Sequence, residues 1–209
     1  MAKEPGPGRV KTRLCPPYTA AAAAALAAAA LADTFAAVAH AATREAGSIK
    51  PGLVLAGDTG PWVPPGLAVV AQRPGPFDER LAGAFEDAGD GAPTLLIGMD
   101  TPQVSSGLLT RAVRALRSAD AVFGPAADGG WWALGMRQPD GDLIRGIPTS
   151  RSTTGAHQRH RLMEAGLRVT DLAVLRDVDT MADVEAVAAE APNSRFAATA
   201  AALRPAVAC

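Results

Sequence analysis

Three short apolar runs constrain this chain more than any other feature: GLVLA at 52–56, LAVVA at 67–71 and TLLIG at 94–98, each bounded by glycine, proline or a polar residue. They lack the alternation of a strand with one wet face, so they read as parallel strands covered on both sides. Segments of helical spacing separate them. Thr19 caps a long helix whose stripe is Leu26, Leu31, Phe35 and Val38 and which Gly47 ends. Residues 79–88 read as a second helix, and residues 106–117 as a third with Leu108, Leu109, Val113 and Leu116 on one face. Strands at 121–123, 131–136 and 167–172 and helices at 154–166, 180–190 and 194–203 continue the alternation, with Thr180 and Asp183 placed as a capping box. Repeated βα units predict an α/β fold with a mostly parallel sheet and helices on both faces. No repeat or flexible linker divides residues 1–209, which are expected to form a single domain.

With aromatics at 4% and apolar residues at 48%, the core must be built from small aliphatic side chains. Alanine dominates residues 20–42 and arginine outnumbers lysine 17 to 3, a bias of GC-rich coding; the alanines read as helix filler. That run contains Asp33 and His40 and little Leu, Ile or Phe, so it reads as a helix of a soluble protein, not a lipid-spanning one. A net charge of −1 argues against nucleic acid or an anionic membrane as partner, since both need sustained positive charge. Cys15 and Cys209 stand alone without metal-binding or disulfide-scaffold spacing, and no export signal is evident, so a reducing cytoplasm is the expected location.

Local charge is uneven. Lys3, Arg9, Lys11 and Arg13 lie in one Pro/Gly-rich stretch, KEPGPGRVKTR, with Gly8 and the Thr12 hydroxyl among them. Glycine and proline let a backbone approach a ligand in a fixed shape, and cationic side chains beside a helix entry suit a di- or triphosphate. The spacing is not GxxxxGK[ST], and on charge alone a solvated basic tail is equally consistent.

Asp100 follows the 94–98 strand and emerges at the carboxyl edge of the sheet, where open α/β sheets bind ligands. A carboxylate there can hold Mg²⁺ or Mn²⁺ against nucleotide phosphates; capping the next helix is the plainer use of an aspartate. Asp58 stands just past the GLVLA strand. Asp177 and Asp179 share a face if their segment is extended, and one of them can complete a metal site. In Asp128-Gly129-Gly130-Trp131-Trp132 the glycines allow close backbone approach to a substrate, with one tryptophan expected in a pocket wall and the other in the core. The hydroxyl-rich entry at 150–155, including Thr154, suits either an N-cap or an anionic acceptor. His157 and His160 lie one turn apart with no third ligand in view, which favours an exposed face over zinc.

AKEPGPGRVKTRL at 2–14, GMDTP at 98–102, GPAADGGWWALG at 124–135 and RDVDTMADV at 176–184 together resemble a bacterial family of GT-A-fold glycosyltransferase-like proteins, labelled radical-SAM/selenodomain-associated transferases. More distantly the pattern is similar to molybdenum-cofactor and 2-phospholactate guanylyltransferases. The resemblance implies a GT-A-type (nucleotide-diphospho-sugar transferase) Rossmann-like three-layer sandwich. It implies that Lys3, Gly8, Lys11 and Arg13 match the nucleotide-phosphate loop, with Thr12 and Asp58 on the nucleotide side. Asp100 matches the metal aspartate, helped by Asp179, with Mg²⁺ or Mn²⁺ as cofactor. Asp128 with Lys11 is the expected catalytic pair, and Gly129, Gly130, Trp131 and Thr154 are expected to face the acceptor. The implied reaction is glycosyl transfer from a nucleotide-sugar to a small molecule. Nucleotidyl transfer from a nucleoside triphosphate to a phosphorylated small molecule, or a catalytically silent nucleotide-binding protein, are the alternatives. Family members carry a hydrophobic first strand before the phosphate loop, whereas here only Met1 and Ala2 precede Lys3, so that strand is expected to be truncated.

Overall fold

The structure, a computed structural model, describes residues 1–89 and 91–203; Cys209 lies outside them. Strands β1 (Ala2–Lys3), β2 (Gly52–Ala56), β3 (Ala68–Ala71), β4 (Thr94–Ile97), β5 (Ala121–Pro125), β6 (Trp131–Met136) and β7 (Val169–Asp171) alternate with helices. The helices are α1 (Ala20–Arg44), α2 (Phe77–Gly89), α3 (Ser106–Ala115), α4 (Thr154–Glu164), α5 (Met181–Glu190) and α6 (Arg195–Ala202).

One group of strands runs β1-β2-β3, all parallel, and a second runs β4-β6-β5-β7. Only β6 is reversed, antiparallel to both β4 and β5, because the five-residue loop from Pro125 to Trp131 is too short for a crossover and can only return as a hairpin. The two groups meet at β1. The main-chain nitrogen of Met1 donates to Ile97 O at 2.8 Å and that of Lys3 to Met99 Sδ at 3.2 Å. The first strand is therefore a two-residue stub, paired at Ala2↔Leu55 and Lys3↔Ala56. Gly52, Leu53 and Val54 have no strand partner on that side among the described residues. The Gln72 side-chain amide closes part of the slot, donating to Ala2 O at 2.7 Å and Val54 O at 3.2 Å.

Helices cover both faces. Leu81, Phe85 and Leu162 of α2 and α4 pack on Leu96, Phe123, Leu134 and Met136 of the strands, and α1 and α3 cover the opposite face. Outside α1, Val184, Val187 and Phe196 of α5 and α6 form a further cluster with Leu14, Tyr18 and Leu26. The alanines of α1 are not mere filler. Ala23, Ala24, Ala27, Ala30, Ala37 and Ala41 are all buried, and their short side chains let one long helix lie close to the sheet, α3 and α6 at once. By length and composition α1 is apolar enough to cross a membrane, and one face of it is buried in this packing. At its end the buried Glu45 carboxylate accepts from Arg114 and Arg117 of the α3 region, both at 2.8 Å. The capping box at Thr180 and Asp183 is present, both bonds made.

The β5–β6 hairpin loop is pinned to the entry of α4. Gly155 N donates to Gly129 O at 2.8 Å, and Gly129, at φ +88°, lies so close to Ser152 that a Cβ there would stand 1.9 Å from the Ser152 carbonyl oxygen. Gly129→Ala therefore adds a backbone clash to the cost of about 1–2 kcal/mol for a left-handed alanine. The expected outcome is a urea midpoint lowered by more than that cost alone, measured against the neutral control Ala127→Gly.

Candidate functional site

β1 hands the chain into the basic loop, which turns through Gly8 at φ +74° and reaches Lys11 in the left-handed region at φ 50° before the short 3-10 turn Thr12–Leu14. This backbone sends the Lys11 side chain inward, where only 7% of it remains exposed. Its ammonium lies 2.6 Å from Asp100 Oδ1 at the end of β4 and 3.6 Å from Asp179 Oδ1, and it also donates to the Val178 carbonyl. Val178 N in turn donates to Asp100 O at 3.0 Å. Arg13 reaches Asp179 Oδ2 at 3.0 Å and Arg9 reaches Glu4 at 2.6 Å. Of the four loop cations, Lys3 alone has no carboxylate partner among the described residues.

These groups border a cavity of about 640 Å³. Asp128 and Asp177 also face it, so four carboxylates, Asp100, Asp128, Asp177 and Asp179, meet the basic loop in one place. Asp177 is the unusual one. Its Oδ1 is buried with no hydrogen-bond partner among the described residues, and burial, reinforced by the charges of Asp100 and Asp128, pushes its carboxyl up to about 7 despite the opposing Lys11 ammonium. Asp128 Oδ1 accepts from Gly130 N at 2.8 Å, which fixes the turn and leaves the other oxygen free of that bond. A smaller cavity of about 150 Å³ lies behind, between Asp128, Asp177, Asp179, Arg176 and Asp183.

Among the described residues no three His, Cys, Asp or Glu side chains converge closely enough to cage a metal. Mg²⁺ seldom uses such a cage, since it is held by one or two carboxylates plus substrate phosphates and water. An all-oxygen donor set with an orphaned buried Asp177 oxygen fits that mode.

The opposite wall divides the tryptophans as alternation requires. Trp132 is 1% exposed and donates from Nε1 to Ala173 O at 3.0 Å, while Trp131 is half-buried in the wall. Thr149, Ser150, Arg151, Ser152 and Thr154 continue it, and Thr154 Oγ1 donates to Pro148 O at 2.8 Å while accepting from Arg151 N at 3.1 Å. Three expected site residues are not in the wall. Asp58 is exposed beyond β2, where its main-chain nitrogen meets Glu4; Gly8 bends the loop over open space; Gly129 faces the α4 entry, and its partner Gly130 lines the cavity instead. His157 stays outside the wall, and His160 pairs with Glu164 on the exposed face of α4 at 3.2 Å.

Sequence reasoning missed Gln72, Phe77 and Arg80. Phe77, Arg80 and Leu81 share the cavity-facing side of α2, the Arg80 guanidinium sits 5.6 Å from the Phe77 ring centre, and it donates to Gln72 Oε1. The i, i+3, i+4 spacing after Gly75 carried that signal, since it puts all three on one helix face.

Between about pH 4 and pH 7 folded Asp177 holds a proton that the unfolded chain has released, so its contribution to stability falls as pH rises across that range. Asp177→Asn is expected to raise the metal-free Tm by several degrees at pH 8 and to leave it nearly unchanged at pH 4, measured by thermal scans at both values.

Residues 19–151 match the family model described as an uncharacterized protein conserved in bacteria, DUF2064. No curated protein matches. Among solved structures, the "putative nucleotide-diphospho-sugar transferase" of Desulfovibrio desulfuricans G20 is 28% identical, with a TM-score of 0.81 over 95% of this chain and 89% of that one. A Mycobacterium tuberculosis Rv0371c homologue from Mycobacterium sp. strain JC1 matches at 23% identity and a TM-score of 0.43 over 62% and 67% of the two chains. CMP:2-keto-3-deoxy-manno-octonic acid synthetase complexed with CTP matches at 14% and 0.41 over 59% and 72%. The fold is that of the nucleotide-diphospho-sugar transferases, as the motifs implied.

Proposed function

For this chain, which belongs to the DUF2064 family, we propose the activity of a soluble, cytoplasmic, metal-dependent transferase that moves a sugar from a nucleotide-sugar to the hydroxyl of a small-molecule acceptor. One observation carries the reading: the basic loop and the carboxylates Asp100, Asp128, Asp177 and Asp179 line a single cavity. The likeness to the Desulfovibrio desulfuricans protein over nearly the whole chain supports it.

Lys3, Thr12 and Arg13 face the donor diphosphate from the loop, and the backbone amides there add uncharged donors. Asp100, with Asp177 or Asp179, would hold Mg²⁺ or Mn²⁺, which supplies neutralisation of the charge that grows on the leaving phosphates. Lys11 keeps Asp100 and Asp179 together despite their like charges. Asp128 takes the proton of the acceptor hydroxyl as its oxygen bonds to the sugar C1 and the bond from C1 to the diphosphate breaks, releasing the nucleoside diphosphate. Trp131 and Gly130 shape the acceptor side.

The test incubates the protein with Mg²⁺ or Mn²⁺ and a panel of nucleotide-sugars and nucleoside triphosphates. Metal-dependent thermal stabilisation with release of nucleoside diphosphate is expected; pyrophosphate release from a triphosphate replaces the reading with nucleotidyl transfer, and absence of metal-dependent nucleotide binding overturns both. Asp100→Ala is expected to abolish the metal-dependent Tm shift and to lower turnover by about 10²-fold or more. Lys3→Gln is expected to weaken nucleotide binding about tenfold with little change in the Tm of the free protein, read by titration calorimetry.

A further inference from the structure

The cations of the cavity fall into two sets. Arg9, Lys11 and Arg13 already end on carboxylates of this chain. Lys3, Arg80 and Arg151 also line the cavity, and none of them has a carboxylate partner among the described residues. A cation left unneutralised in a concave polar wall gains charge-assisted hydrogen bonds when an anion arrives, with no internal pair to break. Lys3 stands on the donor loop, and Arg80 is held by Gln72 and the Phe77 ring. Arg151 stands on the other side, next to the Asp128 turn.

Several contacts fix that neighbourhood. Gly155 N bonds Gly129 O at 2.8 Å, the Ser152 carbonyl presses against Gly129, and the buried Thr154 hydroxyl receives Arg151 N at 3.1 Å. The backbone carrying Arg151 is thus locked to the backbone carrying Asp128, while the Arg151 side chain remains exposed at the cavity. In a chain that uses arginine for most of its positive charge the choice of Arg over Lys says little. Its lack of a carboxylate partner among the described residues and its place beside the proton acceptor say more, and its chain neighbours Ser150 and Ser152 line the same cavity.

We infer that the acceptor carries an anionic oxygen group, a carboxylate or a phosphate, and that Arg151 with the Ser150 and Ser152 hydroxyls binds it, presenting the acceptor hydroxyl to Asp128. This rests on the transferase reading for the word acceptor, while the anion site itself stands on the cavity. The guanidinium fork matches either anion with two parallel bonds.

The test titrates inorganic phosphate, and separately acetate, into the full-length protein saturated with Mg²⁺ and a nucleoside diphosphate, so that the donor loop is filled. At least one anion is expected to bind, at least tenfold more weakly to Arg151→Gln, with partial recovery in Arg151→Lys and no change in Arg111→Gln, an exposed arginine outside the cavity. Thermal scans check that each variant is folded. Preference for phosphate or for acetate identifies the source of the charge. Equal affinity in wild type and Arg151→Gln, or no binding of either anion, overturns the inference. Where no nucleoside diphosphate binds, the same titrations are run on Lys3→Gln with and without Arg151→Gln. Arginine-dependent anion binding then survives the failure of the donor reading, and its loss while nucleotide binding persists defeats this inference alone.

Discussion

The Lys11 ammonium holds the site together. Three segments far apart in the chain, the loop after β1, the end of β4 and the stretch before α5, meet on it through Asp100, Asp179 and the Val178 carbonyl. At 7% exposure the ammonium has been withdrawn from water, and these oxygens replace the hydrogen bonds it loses there. Without it Asp100 and Asp179 would face each other with like charge, and their segments would be joined by the main-chain bond from Val178 to Asp100 and by the Gln103 amide, which donates to Arg176 O at 2.8 Å. The left-handed backbone at Lys11 is part of the same arrangement, since it directs the side chain inward while Arg9 and Arg13 stay largely exposed.

This changes how a basic loop works. Most of its charge is spent on internal carboxylates in the free protein, and the cations around the wall without a carboxylate partner among the described residues are the ones whose charge is still open to an incoming anion. Asp177 is the counterpart on the acidic side, a carboxylate whose buried oxygen has no partner and whose burial disfavours the ionised form. A cation brought in with a nucleotide would meet an oxygen that nothing among the described residues already satisfies. The cavity wall thus carries both cations and carboxylates, groups of the kind that a metal-bound polyanion would complement.

Much of this was legible beforehand, for definable reasons. GLVLA, TLLIG and the Thr180–Asp183 box announce strands and a helix start through local chemistry, and their positions agree with the structure to within a residue or two. Asp100 was legible because a strand ending determines where its next residue emerges. Asp177 and Asp179 were legible as a pair, but which of them lies buried depends on the β4 and β5 segments packed around them. Phe77 and Arg80 escaped because an exposed-looking helix face becomes a cavity wall only when the sheet edge opposite it is known. Asp58 went the other way: it too follows a strand, yet β2 ends it on the solvent side of Glu4.

What the sequence by itself determined is the class of the molecule: alternating βα units, a basic loop rich in glycine and proline, an aspartate at a strand end and a near-neutral net charge, all properties of residue types and their spacing. Tertiary structure alone decided which charges are available. Lys11 and Arg13 are neutralised by Asp100 and Asp179 across about 90 to 170 residues of chain, while Lys3 and Arg151 have no carboxylate partner among the described residues. It also turned the alanines of α1 from filler into a close-packing surface. The physical reason is the same in each case: desolvation and ion pairing depend on distances through space, and side chains so far apart in sequence acquire those distances only when the sheet and its helices close around them.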